Sequence, residues 1–309
     1  MPSPEITPSS SASAPGRGYR LLAVHAHPDD ESSKGAASMA RYAADGVEVL
    51  VATCTGGERG SILNEKVAGE AHALRDLAGL RRLEMARAAH ELGIRQRWLG
   101  FADSGLPEGD PLPPLPFGCF ALQPLERASA PLVKLIREFR PHVILSYDEN
   151  GGYPHPDHIM AHRVAVEAYH AAGDPQRYPG TGEAWTPSKL YYDRAFNPER
   201  FRALHEALEE AGLESPYAER LAAWLQSDSE GHQPPKPTHE TTTQINSGEY
   251  FEHRDRALRS HRTQVDPEGF FFAVSTDLQR KVWPWEDYSL IDSRVEATLP
   301  ETDFFAGIE

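Results

Sequence analysis

Leu21-Leu22-Ala23-Val24-His25-Ala26-His27-Pro28-Asp29-Asp30-Glu31 is the stretch that decides the fold. Leu21 to His25 reads as a buried strand, and its carboxyl end delivers an imidazole and two carboxylates together. A second apolar run, Val143-Ile144-Leu145, leads in the same way to Tyr153-Pro154-His155-Pro156-Asp157-His158. Working outward, Ser32 to Ala44 has helical spacing and stops at Gly46, Val47 to Thr53 reads as the second strand, Glu84 to Leu92 as a helix closed by Gly93, and Arg97 to Phe101 as a short strand. Pro107 to Phe117 holds five prolines and is expected to be an ordered loop packed on the surface. Leu125 to Phe139 is a helix, Val143 to Tyr147 a strand and Ile159 to Ala171 a helix. Strand-helix alternation of this kind predicts an α/β fold, a Rossmann-like, mostly parallel sheet flanked by helices.

The polar clusters all fall just past strand ends: His27 to Glu31, Gly56 to Gly60, Asp103-Ser104-Gly105 and Tyr153 to His158. Open parallel sheets place their ligand crevice on that edge, so four clusters converge on one pocket. Beyond residue 187 the pattern weakens. Leu190 to Tyr192 reads as a strand, Pro198 to Ala211, Tyr217 to Leu225 and Glu249 to Gln264 as helices, and 227–240 as a polar, proline-rich mobile linker. The expected organisation is a disordered tail over 1–18, a Rossmann-like core over 19–187 and a smaller C-terminal cap region over 188–309.

Composition narrows the function. A chain of 309 residues, 39% apolar and 25% charged, can bury one substantial core. Its formal charge of −15 opposes a nucleic-acid groove or an anionic membrane as partner. A small molecule is the better fit. The two cysteines, Cys54 and Cys119, make no zinc knuckle or redox pair, and a reducing, cytoplasmic setting is expected. Cys54, at a strand end, reads as a small buried residue rather than a nucleophile.

A catalytic metal site needs three protein ligands and an open position for water. His27 and Asp30 are three apart in one turn and can share an ion, which leaves Asp29 pointing elsewhere as the general base. His158, opening a helix, is the third ligand. His155 then lies beside the metal without binding it; oriented by Asp157, its imidazolium would stabilise a carbonyl oxygen, with Tyr153 as a second donor. The bland alternatives are a turn for Gly56-Gly57, a solvated ion pair for Arg81 and Glu84, and packing or capping for His261 and Gln264.

The motifs His27-Pro28-Asp29-Asp30-Glu31 and His155-Pro156-Asp157-His158 resemble the LmbE-like (PIG-L) N-deacetylase superfamily of metal-dependent amide hydrolases. From about Tyr19 to the end, through Thr55-Gly56-Gly57-Glu58-Arg59-Gly60, Trp98 to Phe101, Asp103 to Leu106, Tyr147 to Tyr153 and Phe305 to Glu309, the chain is similar to the actinobacterial mycothiol S-conjugate amidases. It departs from their pattern at Ser227 to Thr243 and at Trp285. The resemblance implies metal ligands His27, Asp30 and His158, base Asp29, oxyanion donor His155 and mobile Tyr153. It puts Arg81 and Asp103 on the sugar-inositol moiety, with Glu58 beside them, and Lys34 where the sister deacetylases lack a lysine, facing the acyl side. The implied cofactor is Zn2+, with Fe2+ as the alternative. The implied reaction is hydrolysis of the amide between glucosaminyl-inositol and the S-substituted N-acetylcysteine, releasing a mercapturate in detoxification or antibiotic biosynthesis. Removal of acetyl from N-acetylglucosaminyl-inositol is the alternative within the family. A non-haem iron oxygenase, whose triad is normally His-x-Asp on an antiparallel barrel, and a non-catalytic sugar binder, which has no use for Asp29, fit less well.

Overall fold

The computed structural model describes residues 18–222 and 239–309. Along the chain run β1 (Arg20–His25), α1 (Asp30–Ser33), α2 (Ala36–Ala44), β2 (Glu48–Thr55), α3 (Glu65–Ala68), α4 (Ala71–Arg75), α5 (Leu77–Leu92), β3 (Arg95–Phe101), α6 (Leu125–Phe139), β4 (Val143–Ser146), α7 (Pro156–Ala171), β5 (Lys189–Asp193), α8 (Pro198–Glu210), β6 (Thr243–Asn246), α9 (Phe251–Ser260), α10 (Thr276–Val282) and β7 (Trp285–Ser293). All seven strands form one sheet in the order β3-β2-β1-β4-β5-β7-β6. The first five are parallel, and β7 runs antiparallel between β5 and β6.

Sequence alternation explains why β1 is central. Leu22 and Val24 enter one apolar core, with α6 and α7, while Leu21 and Ala23 enter the other, with α2 and α5. Both leucines are wholly buried, and each contributes roughly 1.5–3 kcal/mol by leaving water. The strand is thereby fixed from both faces, and with it the loop that leaves its carboxyl end.

Several expected elements change at their ends. The helix expected over Ser32 to Ala44 is broken into α1 and α2: Lys34 is extended and Gly35 has φ 76°, with the Tyr288 hydroxyl 2.8 Å from where a Cβ would stand. Glu286, on β7, accepts from the backbone of Ala37 and Ser38 and so caps the restarted helix. α5 begins seven residues before the expected Glu84, capped by Asp76, which accepts from Gly79. Its inward face carries Arg81 and Glu84, so polar side chains interrupt the apolar stripe that marks a helix. The proline-rich loop after β3 is not packed down as expected: Leu112 and Phe117 stand in solvent.

Residues after 187 divide between the sheet, to which they give β5, β6 and β7, and a separate apolar cluster built on Phe201, Leu204, Leu208, Tyr217 and Val274. The tail expected over 1–18 lies outside the described residues except for Gly18, as do the expected linker up to 238 and the end of the helix expected over Tyr217 to Leu225. Among the described residues no helix is long and apolar enough to cross a membrane. Cys54 is buried and free, as a packing residue should be.

Candidate active site

The turn after β1 holds an unusual backbone. Asp29 has φ 107° and ψ −27°, a region that a residue with a Cβ adopts at a cost of order 1–3 kcal/mol. Its carbonyl accepts from Ser32 and Ser33, and its N–H donates to Glu31 Oε2 at 3.0 Å. Glu31 is wholly buried and held in turn by His261 Nε2 at 2.7 Å and by the Ser32 hydroxyl. The conformation that presents the Asp29 carboxyl is therefore anchored from α1 and from the turn that follows α9. Burial, with the charge of Asp30 beside it, pushes the Asp29 carboxyl up to about 7.

Asp30 is held by three donors. Its Oδ2 accepts from the His27 N–H at 2.9 Å and the Tyr147 hydroxyl at 2.8 Å, and its Oδ1 from Lys34 Nζ at 2.7 Å. Burial opposes its charge, but His158 and Lys34 hold it well below the usual carboxylate range. Oδ2 lies 3.5 Å from His27 Nδ1 and 3.5 Å from His158 Nε2. Those gaps are too long for hydrogen bonds. They match the edge of a tetrahedron of donors at about 2.0–2.1 Å from a zinc-like ion.

The tautomers support the same conclusion. His158 Nδ1 bonds the Gly151 carbonyl at 2.9 Å, so that nitrogen carries the proton and Nε2 offers a lone pair. That Nε2 is buried with no hydrogen-bond partner. Burial lowers the imidazole to about 3, which keeps the lone pair available. His27 Nε2 faces Asp157 Oδ2 at 3.2 Å, which leaves Nδ1 on the Asp30 side. A histidine steadied by a carboxylate on its far nitrogen is the usual form of a metal ligand. Among the described residues two donor groups stand close enough to hold an ion, His27 with His155 and His158, and His27 with Asp103 and Asp157; Asp30 is in neither of them, although its Oδ2 is 3.5 Å from both His27 Nδ1 and His158 Nε2.

Asp157 is not where the sequence put it. Its carboxylate serves His27 and the Ser104 N–H and hydroxyl, not the His155 ring. His155 instead caps α7: its Nδ1 accepts from the Asp157 backbone N–H at 3.1 Å. Protonating that nitrogen would set two donors face to face. Burial, with His27 nearby, lowers His155 to about 4, so the ring is neutral with its proton on Nε2, rather than the expected imidazolium. Tyr153 is 41% exposed on the loop before α7, its ring 4.6 Å from that of His158.

On the β2–β3 side, Asp103 is buried and its oxygens accept from the Arg59 and Gly105 N–H groups, each at 2.8 Å. Burial would raise it, but His27 and these donors hold it well below the carboxylate range. Glu58 accepts from the Asp103 N–H at 2.8 Å and ties the loops after β2 and β3 together. Arg81 turns inward, donating to the Ser61 carbonyl at 3.0 Å, while exposed Arg82 lies over the Trp98 ring. A Cβ at Gly60 would stand 2.7 Å from the Arg81 guanidinium, so this glycine makes room for the arginine. Arg81 and Glu84 are not a solvated ion pair. Both are buried, and Glu84 accepts from the Thr263 N–H at 3.0 Å and hydroxyl at 2.6 Å. Lys34 is likewise buried against Asp30 and Ser33, behind the carboxylate rather than free on the acyl side.

Sequence reasoning missed the Glu31–His261 pair and Tyr147. The glutamate belonged to the quoted motif, but its partner lies 230 positions away and no spacing connects them.

A family model described as PIG-L, GlcNAc-PI de-N-acetylase, matches residues 22–169. A mycothiol S-conjugate amidase of Streptomyces coelicolor is 54% identical over 291 residues, 94% of this chain and 97% of that protein. The chain belongs to the PIG-L family. Within it, a 1D-myo-inositol 2-acetamido-2-deoxy-alpha-D-glucopyranoside deacetylase of Streptomyces scabiei is 39% identical over 315 residues, 97% of this chain and 94% of that one. The fold is shared with the N,N'-diacetylchitobiose deacetylase of Pyrococcus horikoshii at a TM-score of 0.58 and 18% identity, over 90% of this chain and 86% of that one. The PIG-L match ends in α7, so it covers every proposed metal ligand and stops short of His261.

Proposed function

We propose that the protein is a metal-dependent amidase that cleaves the amide between glucosaminyl-inositol and the S-substituted N-acetylcysteine of mycothiol S-conjugates. The observation that carries the hydrolase chemistry is the unpartnered, buried His158 Nε2 set 3.5 Å from Asp30 Oδ2, with Asp29 on the same turn. The substrate class rests on similarity: 54% identity to the amidase against 39% to the deacetylase.

His27, Asp30 and His158 are the ligands in this reading. The group with His155 is less suited because His155 Nδ1 is committed to the α7 cap, and the group with Asp103 and Asp157 leaves out the unpartnered His158 Nε2. A bound zinc ion would polarise the carbonyl and acidify water; a nitrogen and oxygen donor set also suits iron(II). Asp29 takes the proton of the attacking water and returns it to the leaving amine. Neutral His155 donates its Nε2–H to the developing oxyanion, joined by Tyr153 when the loop brings it in. Asp157 orients His27, and Lys34 keeps Asp30 ionised. Glu58, Arg81 and Asp103 form the sugar-inositol side of the pocket. The substrate is a small thiol conjugate, and a cytoplasmic setting suits two free, buried cysteines.

Metal analysis beside kinetics tests these roles. Asp29→Asn keeps its metal and loses about 10²–10⁴-fold in kcat, whereas Asp30→Ala and His158→Ala lose the metal. Reversed behaviour of Asp29 and Asp30 would exchange base and ligand. Because the base acts as carboxylate, kcat/KM falls as pH drops through the Asp29 value; about 7 is its upper limit, since a bound cation pulls it down. An acid limb that survives Asp29→Asn unchanged belongs to another group.

A further inference from the structure

A cavity of about 460 Å³ opens at the amino ends of β1, β2 and β3, the edge of the sheet opposite the proposed metal centre. Arg20, Glu48 and Arg95 begin those strands, and β1 alone spans six residues, so roughly 17–20 Å separates the two sites. Arg20 pairs opposite Glu48 and Leu50 opposite Arg95, and strand alternation puts Arg97 on the same face as Arg95. Leu22 and Leu50 belong to the core on the α6 side, so these side chains emerge on that face, where α6 ends at Phe139. Leu50, Leu135 and Phe139, all buried, make an apolar floor. The volume falls in the range of small-ligand pockets, roughly 300–1,000 Å³.

Four guanidiniums, those of Arg20, Arg95, Arg97 and Arg140, line this cavity in a chain whose formal charge is −15. Glu48 and Glu138 line it with them. Glu48 reaches Arg95 at 3.3 Å and Glu138 reaches Lys134 at 3.7 Å, but both pairs are more than half exposed and so weakly held. Arg140 reaches Glu183, a largely exposed carboxylate outside the lining, at 2.7 Å. Arg20 donates to the Gly18 and Arg140 carbonyls at 3.0 and 2.7 Å and meets no carboxylate among the described residues. Arg97 makes no hydrogen bond or ion pair among the described residues. Edge strands are commonly guarded by charge, which accounts for Arg95 and Arg97 on β3. It does not account for Arg20, on central β1, or for Arg140, which closes α6 at φ 55°, a conformation that favours glycine.

Gathering four cations from three strands and a helix end is repulsive, and a bound anion relieves that repulsion. Guanidinium forks match the oxygens of a phosphate, and the floor of Leu50, Leu135 and Phe139 suits an apolar body beside it. The negative charge of the chain as a whole opposes a nucleic acid, whereas a small anion meets only the local field. We propose that this cavity binds a small phosphomonoester with an aromatic or apolar body, its phosphate held by Arg20 and Arg97 and its body on the apolar floor. Binding there is independent of amide cleavage at the other edge of the sheet.

The test is calorimetry on the metal-loaded full chain in about 0.15 M salt, with phenyl phosphate and inorganic phosphate as probes. Phenyl phosphate binds several-fold more tightly than inorganic phosphate. Arg97→Gln weakens phenyl phosphate about tenfold, and the double variant Arg95→Gln/Arg97→Gln weakens it further. Arg256→Gln removes the same charge from the exposed face of α9 and leaves the affinity unchanged. These differences locate the probe at the cavity, because an active-site metal would bind it equally in every variant. No binding of either probe at millimolar concentration, equal affinity for the two probes, an affinity unmoved by Arg97→Gln, or an equal loss in Arg256→Gln overturns the site.

Discussion

The two flanks of the centre are built by opposite means. On the β2–β3 side Asp103 and Glu58 are tied to backbone N–H groups and Arg81 to carbonyls, so the polar surface is fixed before any ligand arrives. On the β5 side the Phe201 and Tyr217 rings stack on each other and Phe271 is partly exposed at the rim. A frame fixed by hydrogen bonds rejects changes that an apolar wall tolerates.

That contrast breaks first at Asp103. Asp103→Ala strips the acceptors from two backbone N–H groups, each left unsatisfied at about 1–3 kcal/mol, and Tm should fall by roughly 5–10 °C. Phe271→Ala, at the rim of the other flank, should move Tm far less. Equal losses in a thermal melt would mean that the polar flank is no more preorganised than the aromatic one.

A smaller effect sharpens the account of the centre between them. Burial opposes both charges, but His261 holds Glu31 below its usual value and Glu31 holds His261 above its own. Because His261 is raised in the folded state, its stabilisation is fully present below the unfolded value of about 6.5 and is lost as pH rises through the folded one. The Tm gap between wild type and His261→Gln should therefore narrow from pH 6 to 9. The same variant should lower kcat about tenfold with little change in KM, since the pair positions Asp29. A KM effect alone would make His261 a substrate contact. The smallest effect is expected at Tyr153→Phe, a loss of several-fold confined to kcat.

What was legible in the sequence is what is local. His27, Asp29 and Asp30 share one turn after β1, and His158 opens the helix that follows β4, the strand beside β1 in the sheet, so strand ends bring them together. β1, β2 and β4 were readable because their apolar runs are short and continuous. β7, Trp285–Ser293, carries Glu286, Asp287 and Asp292 among its apolar residues, and only pairing with β5 and β6 reveals it as strand. The role of Asp157 was misplaced for a similar reason: its proximity to His155 in sequence hid a carboxylate that crosses to His27, 130 positions away. Arg81 and Glu84, for which a solvated ion pair was the bland alternative, are inside, where Thr263 meets both from far along the chain.

Competition between two substrates in one vessel tests the central claim most directly. The metal-loaded protein is given a bulky mycothiol S-conjugate and N-acetylglucosaminyl-inositol together, and products are followed by mass spectrometry. The account predicts that mercapturate and free glucosaminyl-inositol appear from the conjugate with the higher kcat/KM. Equal rates, or acetate released faster than mercapturate, would contradict it and make the protein a deacetylase.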